Sequence, residues 1–186
     1  MGKSISYKNI WGLNTDEAVV TGILRGNTHK DIEVFMPINA QMKDIDLVLM
    51  NMKNKKTMTI QIKGSRAYEP RKKQIEKFGD GSNGWFFFPQ KVIEHSTADY
   101  FIFLVYVLIY SENTGRKLIE PHTIIFPTEE IKKLAKEYKP QGNKGYSFYF
   151  WVNPKENNAF EWRDKRYYVS KYLDKKGFER LNKDLE

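Results

Sequence analysis

Two short stretches of strict alternation constrain this chain most. Residues 44–50 read Asp-Ile-Asp-Leu-Val-Leu-Met and residues 57–63 read Thr-Met-Thr-Ile-Gln-Ile-Lys, separated by Asn51-Met52-Lys53-Asn54-Lys55-Lys56. A period of two is the mark of a half-buried strand, and two such runs across a short, largely polar connection predict an antiparallel hairpin. Alternation puts Asp44 and Asp46 on one face and Ile45, Leu47 and Leu49 on the other. On the second strand Thr59, Gln61 and Lys63 share one face, with Met58, Ile60 and Ile62 opposite. A turn centred on Lys53-Asn54 sets Asp46 opposite Gln61 and Asp44 opposite Lys63. Directly opposed side chains lie within about 5.5 Å at Cβ, so this register gathers oxygen-bearing groups and an amine in one small patch.

The other elements follow from local signals. Asn14-Thr15-Asp16-Glu17 predicts a helix start, with Asn14 as cap and Glu17 as the capping-box residue. Val20, Ile23 and Leu24 then have helical spacing, and Gly26 is a natural stop. Strands are predicted over 31–37, 100–110, 118–126 and 146–152, the second of these long and central. Pro70 suits the first turn of a short basic helix over 70–78. The glycines at 79–84 mark a loop, and the aromatic run 85–88 reads as core. Thr128 is placed to cap a helix from 129 to 138, residues 166–174 suit a short helix, and the tail beyond is polar. At 186 residues the chain is about one domain long. The element order predicts a single α/β domain: an antiparallel meander, then a strand–helix–strand unit with possible parallel pairing, making a mixed central sheet flanked by helices.

Composition narrows the chemistry. No cysteine is present, which removes disulfide scaffolds, thiolate metal sites and cysteine nucleophiles. The longest apolar run, 100–110, is about half the length a membrane helix needs. The expectation is a soluble, cytoplasmic protein without a membrane partner. The net charge of +8 is uneven. Residues 53–77 hold nine Lys or Arg against two Glu, and 165–183 hold seven against two acids. Such concentration suits a polyanionic partner, though solvated lysine is the plainer explanation. His29, His95 and His122 lack metal-ligand spacing, and no Gly-x-Ser-x-Gly elbow or phosphate loop occurs.

The hairpin patch suits phosphodiester hydrolysis. A divalent cation there neutralises charge on the phosphate and lowers the pKa of an attacking water. Mg²⁺ prefers oxygen ligands and takes only one or two carboxylates. A lysine beside it can orient the water or stabilise the anionic transition state. Asp46 followed by Gln61-Ile62-Lys63 on the next strand resembles the PD-(D/E)XK nuclease superfamily, in the variant where glutamine replaces the second acid. Glu17, Leu24 and Gly26 fit the layout of that family's first helix, and Ala98-Asp99-Tyr100-Phe101-Ile102-Phe103 is similar to its following strand. The likeness spans residues 13–138, leaving 146–186 as a C-terminal strand and basic tail. No proline precedes Asp46, where Lys43-Asp44-Ile45 stands.

The resemblance implies a restriction-endonuclease-like fold and cleavage of DNA, RNA not being excluded, with Mg²⁺ or with Mn²⁺ as substitute. It implies that Asp46 binds the metal, that Gln61 ligates it or holds its water, and that Glu17 completes the acidic site. Lys63 would orient the nucleophile. Arg66, Arg71, Lys72 and Lys73 follow closely and are candidates for phosphate contacts. Double-strand cleavage would suit a homodimer. Plainer roles stand beside these: Glu17 as cap, Asp44 as a strand-end charge paired with Lys63, and Asp46 and Gln61 as a polar strand face. A catalytically inactive nucleic-acid-binding module of this fold and a structural or interaction protein are the rival functions.

Overall fold

The computed structural model describes residues 15–37, 44–111, 115–138, 145–163 and 166–186. The hairpin forms as alternation predicts. β2 (Leu47–Asn51) and β3 (Thr57–Gly64) are antiparallel, with Leu47 opposite Ile60 and Leu49 opposite Met58, the register of a turn centred on Lys53-Asn54. β1 (Ile32–Phe35) completes the meander on the far side of β2. The chain then leaves this sheet through α2 (Lys72–Phe78), β4 (Ser82–Phe88) and α3 (Gln90–Glu94). It returns as β5 (Tyr100–Ser111), parallel to β3, and folds back as β6 (Arg116–Pro127). The order β1-β2-β3-β5-β6 makes a mixed five-stranded sheet. Its central strand is β3, not the long β5. The parallel pair is β3 with β5, not the strands around α4 (Thr128–Glu137), because β6 and β7 (Tyr146–Asn153) belong to different sheets.

The second sheet is antiparallel, in the order β4-β7-β8-β9, with β8 at Asn158–Glu161 and β9 at Tyr167–Tyr168. Gly84 lies inside β4, so the expected loop over 79–84 is shorter than its glycines suggest.

β5 serves two cores because its side chains alternate. Phe101, Phe103 and Val105 face the second sheet and join Phe86, Phe88, Phe148 and Phe150. Tyr100, Ile102 and Leu104 face the other way and join Ile60 and Ile62 under two helices. Those helices are α1 (Thr15–Asn27), through Val20 and Leu24, and α5 (Asp174–Leu185), through Phe178, Leu181 and Leu185. Each such side chain contributes about 1.5–3 kcal/mol on burial. The fold is a mixed α/β domain with helices on both faces of the main sheet: α1 and α5 on one, α4 with α3 beside the small sheet on the other.

Four local expectations change. The polar tail is α5, whose Phe178, Leu181 and Leu185 fall on one face at helical spacing. The adjoining span 166–174 is a short strand and a 3₁₀ turn, Ser170–Tyr172, not a helix. Gly177 lets α5 approach β6, since a Cβ there would stand 2.5 Å from the Tyr172 carbonyl oxygen and 2.9 Å from Ile125 Cβ. Thr128 does not cap α4, because its hydroxyl donates to the Ala98 carbonyl at 2.5 Å. α1 runs through Gly26 to Asn27, and the expected cap Asn14 lies outside the described residues. Among the described residues no helix is long and apolar enough to cross a membrane.

Candidate functional site

Asp46 precedes β2 instead of lying within it. Its N–H donates to the Ile60 carbonyl at 2.8 Å, yet Ile60 is already the partner of Leu47. Two residues thus oppose one, as in a β-bulge, and Asp46 is not set directly opposite Gln61. Its carboxylate turns instead to β3 and accepts the Ile62 N–H at 2.6 Å. Burial pushes the Asp46 carboxyl above the usual carboxylate range; the Ile62 N–H and the Lys63 ammonium oppose this, and Asp44 adds to it. Asp44 itself sits outside the strand in a left-handed conformation, φ 75°, and forms no ion pair with Lys63.

Gln61 shares the face of Phe101, its neighbour on β5, and is 3% exposed. Its Oε1 is buried with no hydrogen-bond partner. Such an orphan costs about 1–3 kcal/mol, and an unpaired buried oxygen on a central strand calls for a reason. Lys63 follows on the same face and is exposed, near enough for its charge to act on Asp46.

α1 crosses the opposite face. Asp16 covers Gly64, where a Cβ would stand 2.0 Å from Asp16 Oδ2. Asp16 also accepts the Tyr106 hydroxyl at 2.9 Å, and burial together with Asp16 pushes that hydroxyl up to about 12. These contacts fix the first turn of α1, with half-buried Glu17 in it, at the Lys63 end of β3. Sequence reasoning missed Asp16. The available signal was Gly64, a glycine ending a strand where a side chain would collide.

Asp46, Gln61 and Lys63 thus lie at one end of the hairpin, Gln61 and Lys63 on the face away from α1. Among the described residues no three His, Cys, Asp or Glu gather as a metal-binding group. A cation here would rest on one or two carboxylates and the Gln61 amide oxygen, donors of the kind Mg²⁺ accepts.

No protein-family model, curated protein or solved structure matches the chain. Its own geometry must therefore carry any functional reading.

Arg66, Arg71, Lys72 and Lys73 are all exposed after β3. Gln74 steadies the start of α2 by accepting the Arg71 N–H at 2.9 Å. At its other end Phe78 packs on Trp151 and Phe160 of the small sheet, with ring centroids 5.3 and 5.4 Å away. The second basic segment lies largely on α5, across the main sheet from α2. Of the described residues only Arg166, at the start of that segment, joins the first, donating to the Lys77 carbonyl at 2.7 Å and lying over the Phe78 ring.

A cleft of about 320 Å³ lies elsewhere, lined by Ile75, Val107, Tyr110 and Pro154 among others, and includes none of the candidate residues. His122 has close polar partners on α5 and β6. Its Nδ1 lies 2.7 Å from Asp174 Oδ2, while Asp174 Oδ1 accepts the Thr123 N–H at 2.7 Å. This cluster fastens the start of α5 to β6.

Proposed function

We propose that this chain is a metal-dependent nuclease of the PD-(D/E)XK type, acting on DNA phosphodiesters with Mg²⁺ or Mn²⁺. The observation that carries the reading is the buried, unpartnered Oε1 of Gln61, placed between the Asp46 end of β2 and the exposed Lys63. A desolvated carboxylate and an orphaned amide oxygen suit a hard cation, which supplies charge neutralisation and a more acidic water. Asp46 and Gln61 offer those oxygens, and Glu17, on the helix across the sheet, adds a second carboxylate through water around the end of β3. Lys63 orients the attacking water or stabilises charge on the phosphate. Arg66, Arg71, Lys72 and Lys73 hold the backbone of the substrate. The proposal carries with it a restriction-endonuclease-like ancestry, a cytoplasmic setting and, for double-strand cuts, a homodimer.

The test is cleavage of plasmid and branched DNA, with Mg²⁺ and with Mn²⁺, by the wild type, Asp46→Asn and Lys63→Ala. Each substitution should remove most cleavage. A wild-type rate in the combined variant would sink the reading.

One observation favours a second reading, a binding module without catalysis. The Asp46 carboxylate already serves the Ile62 N–H, and Gln61 brings no charge. That module would bind DNA with strong salt dependence yet show neither cation binding nor cleavage.

A further inference from the structure

The small sheet presents two unlike faces. Phe86 and Phe88 of β4 are buried against the main sheet, while the alternate residues Trp85 and Phe87 are 42% and 45% exposed. Register places Trp85 directly opposite Tyr149 on β7, and the Tyr149 ring lies 5.6 Å from that of Trp162. Trp85 and Tyr149 are thus cross-strand neighbours on the outer face, and half-buried Trp162 lies beside Tyr149. Further along, Phe78 covers Trp151 and Phe160 and stops at Trp162, 5.4 Å away.

This face adjoins the candidate site. The Trp85 N–H donates to Ser65 Oγ at 2.9 Å, and Ser65 is two residues beyond Lys63. Exposed Arg66 follows Ser65, and the basic α2 leads into Phe78.

Exposed rings on a sheet are an aggregation liability unless something covers them. Charge decides what fits. An apolar protein partner would have to desolvate the neighbouring lysines and arginines, whereas a nucleic acid neutralises them. A duplex hides the faces of its bases, but a single strand offers them for stacking, and aromatic rings beside a basic groove are the recurring means of holding one.

We propose that the outer face of β4 and β7 is a stacking platform for unpaired bases, so that single-stranded segments are the substrate class of the adjoining site. This rests on the nuclease reading for the cleavage step, but the binding stands or falls on its own.

The test compares binding of oligothymidylate and of an equally long duplex at fixed salt, by wild type, Trp85→Ala/Phe87→Ala and the ring-preserving Trp85→Phe/Phe87→Tyr. Circular dichroism and thermal melting check that each variant is folded. Alanine should weaken oligothymidylate binding about tenfold or more and leave duplex binding within about threefold, and the ring-preserving pair should stay near wild type. Oligothymidylate binding unchanged by the alanine pair, or loss in the folded ring-preserving pair equal to that in the alanine pair, would overturn the platform. In either case Lys63-dependent cleavage, measured separately, still judges the nuclease reading. Failure of the wild type to bind either nucleic acid would overturn both.

Discussion

The Asp46 carboxylate accepts the backbone N–H of Ile62 at 2.6 Å and stands in for a strand neighbour where β2 has not yet begun. A residue proposed for chemistry therefore also closes the edge of the central strand. Stability and activity can be separated only by a substitution that keeps the acceptor.

Asp46→Ala should lose about 1–3 kcal/mol of stability, the cost of an abandoned buried N–H, although the position looks solvent-facing in sequence. Asp46→Asn keeps an oxygen for Ile62 and should remain near wild type while losing cleavage. Burial raises the folded-state pKa of Asp46, so its ionisation opposes folding. That penalty is absent in acid and develops as the pH rises through the raised value. The stability of Asp46→Asn relative to wild type should therefore improve with pH over that range. Urea unfolding across the acid range measures this, and a constant difference would contradict it.

Gln61→Leu replaces an unsatisfied buried amide with an apolar group of similar volume. It should be neutral or stabilising by about 1 kcal/mol, yet inactive. Gln61→Glu should melt lower than wild type without cation, because it buries a charge, and should gain more on addition of Mn²⁺. Calorimetric titration and thermal melting with Mn²⁺ read both effects. Equal Mn²⁺ responses in wild type, Gln61→Glu and Glu17→Ala would remove these residues from the ligand set.

The site was partly legible, and for a physical reason. A period of two makes register readable, so Leu47 opposite Ile60 follows from alternation and turn length alone. The bulge at Asp46 does not, because side-chain alternation says nothing about Asp46 giving its N–H to Ile60 and its carboxylate to the Ile62 N–H. The buried state of Gln61 was hidden too, since it depends on β5 and the second sheet closing around β3. α5 was missed because its apolar stripe is only Phe178, Leu181 and Leu185 among charges, too sparse to outweigh a polar average. β8 and β9 are four and two residues long, below the length at which a pattern can be told from chance.

Arg71→Ala/Lys72→Ala/Lys73→Ala should lower the slope of log affinity against log salt by about one unit per lost phosphate contact. The three residues buttress no core, so folding should not change. A slope equal to wild type would place the nucleic acid elsewhere, for instance on α5.

His122 should make stability depend on pH. Burial disfavours its charged form, but Asp174, with Glu120 beside it, outweighs burial and holds the imidazole above its ordinary pKa. A group raised on folding stabilises fully below its unfolded value, and that contribution is lost as the pH climbs through the folded one. Melting temperature from pH about 6 to about 9 should fall more steeply in wild type than in His122→Gln. Parallel curves would mean that His122 does not gain a proton on folding.

The amides of Asn51 and Asn54 each donate to the Leu185 carbonyl at 3.1 Å, so the turn of the hairpin closes the last turn of α5. During synthesis the hairpin emerges early, but this cover emerges after every strand it protects. Until then Ile60, Ile62, Tyr100 and Ile102 present an apolar sheet face to the cell, sheltered from that side only by α1. The nascent chain is thus open to aggregation on this face, from β1 to the strand that carries Gln61 and Lys63, and a chaperone that binds it there would be released by the arrival of Phe178, Leu181 and Leu185.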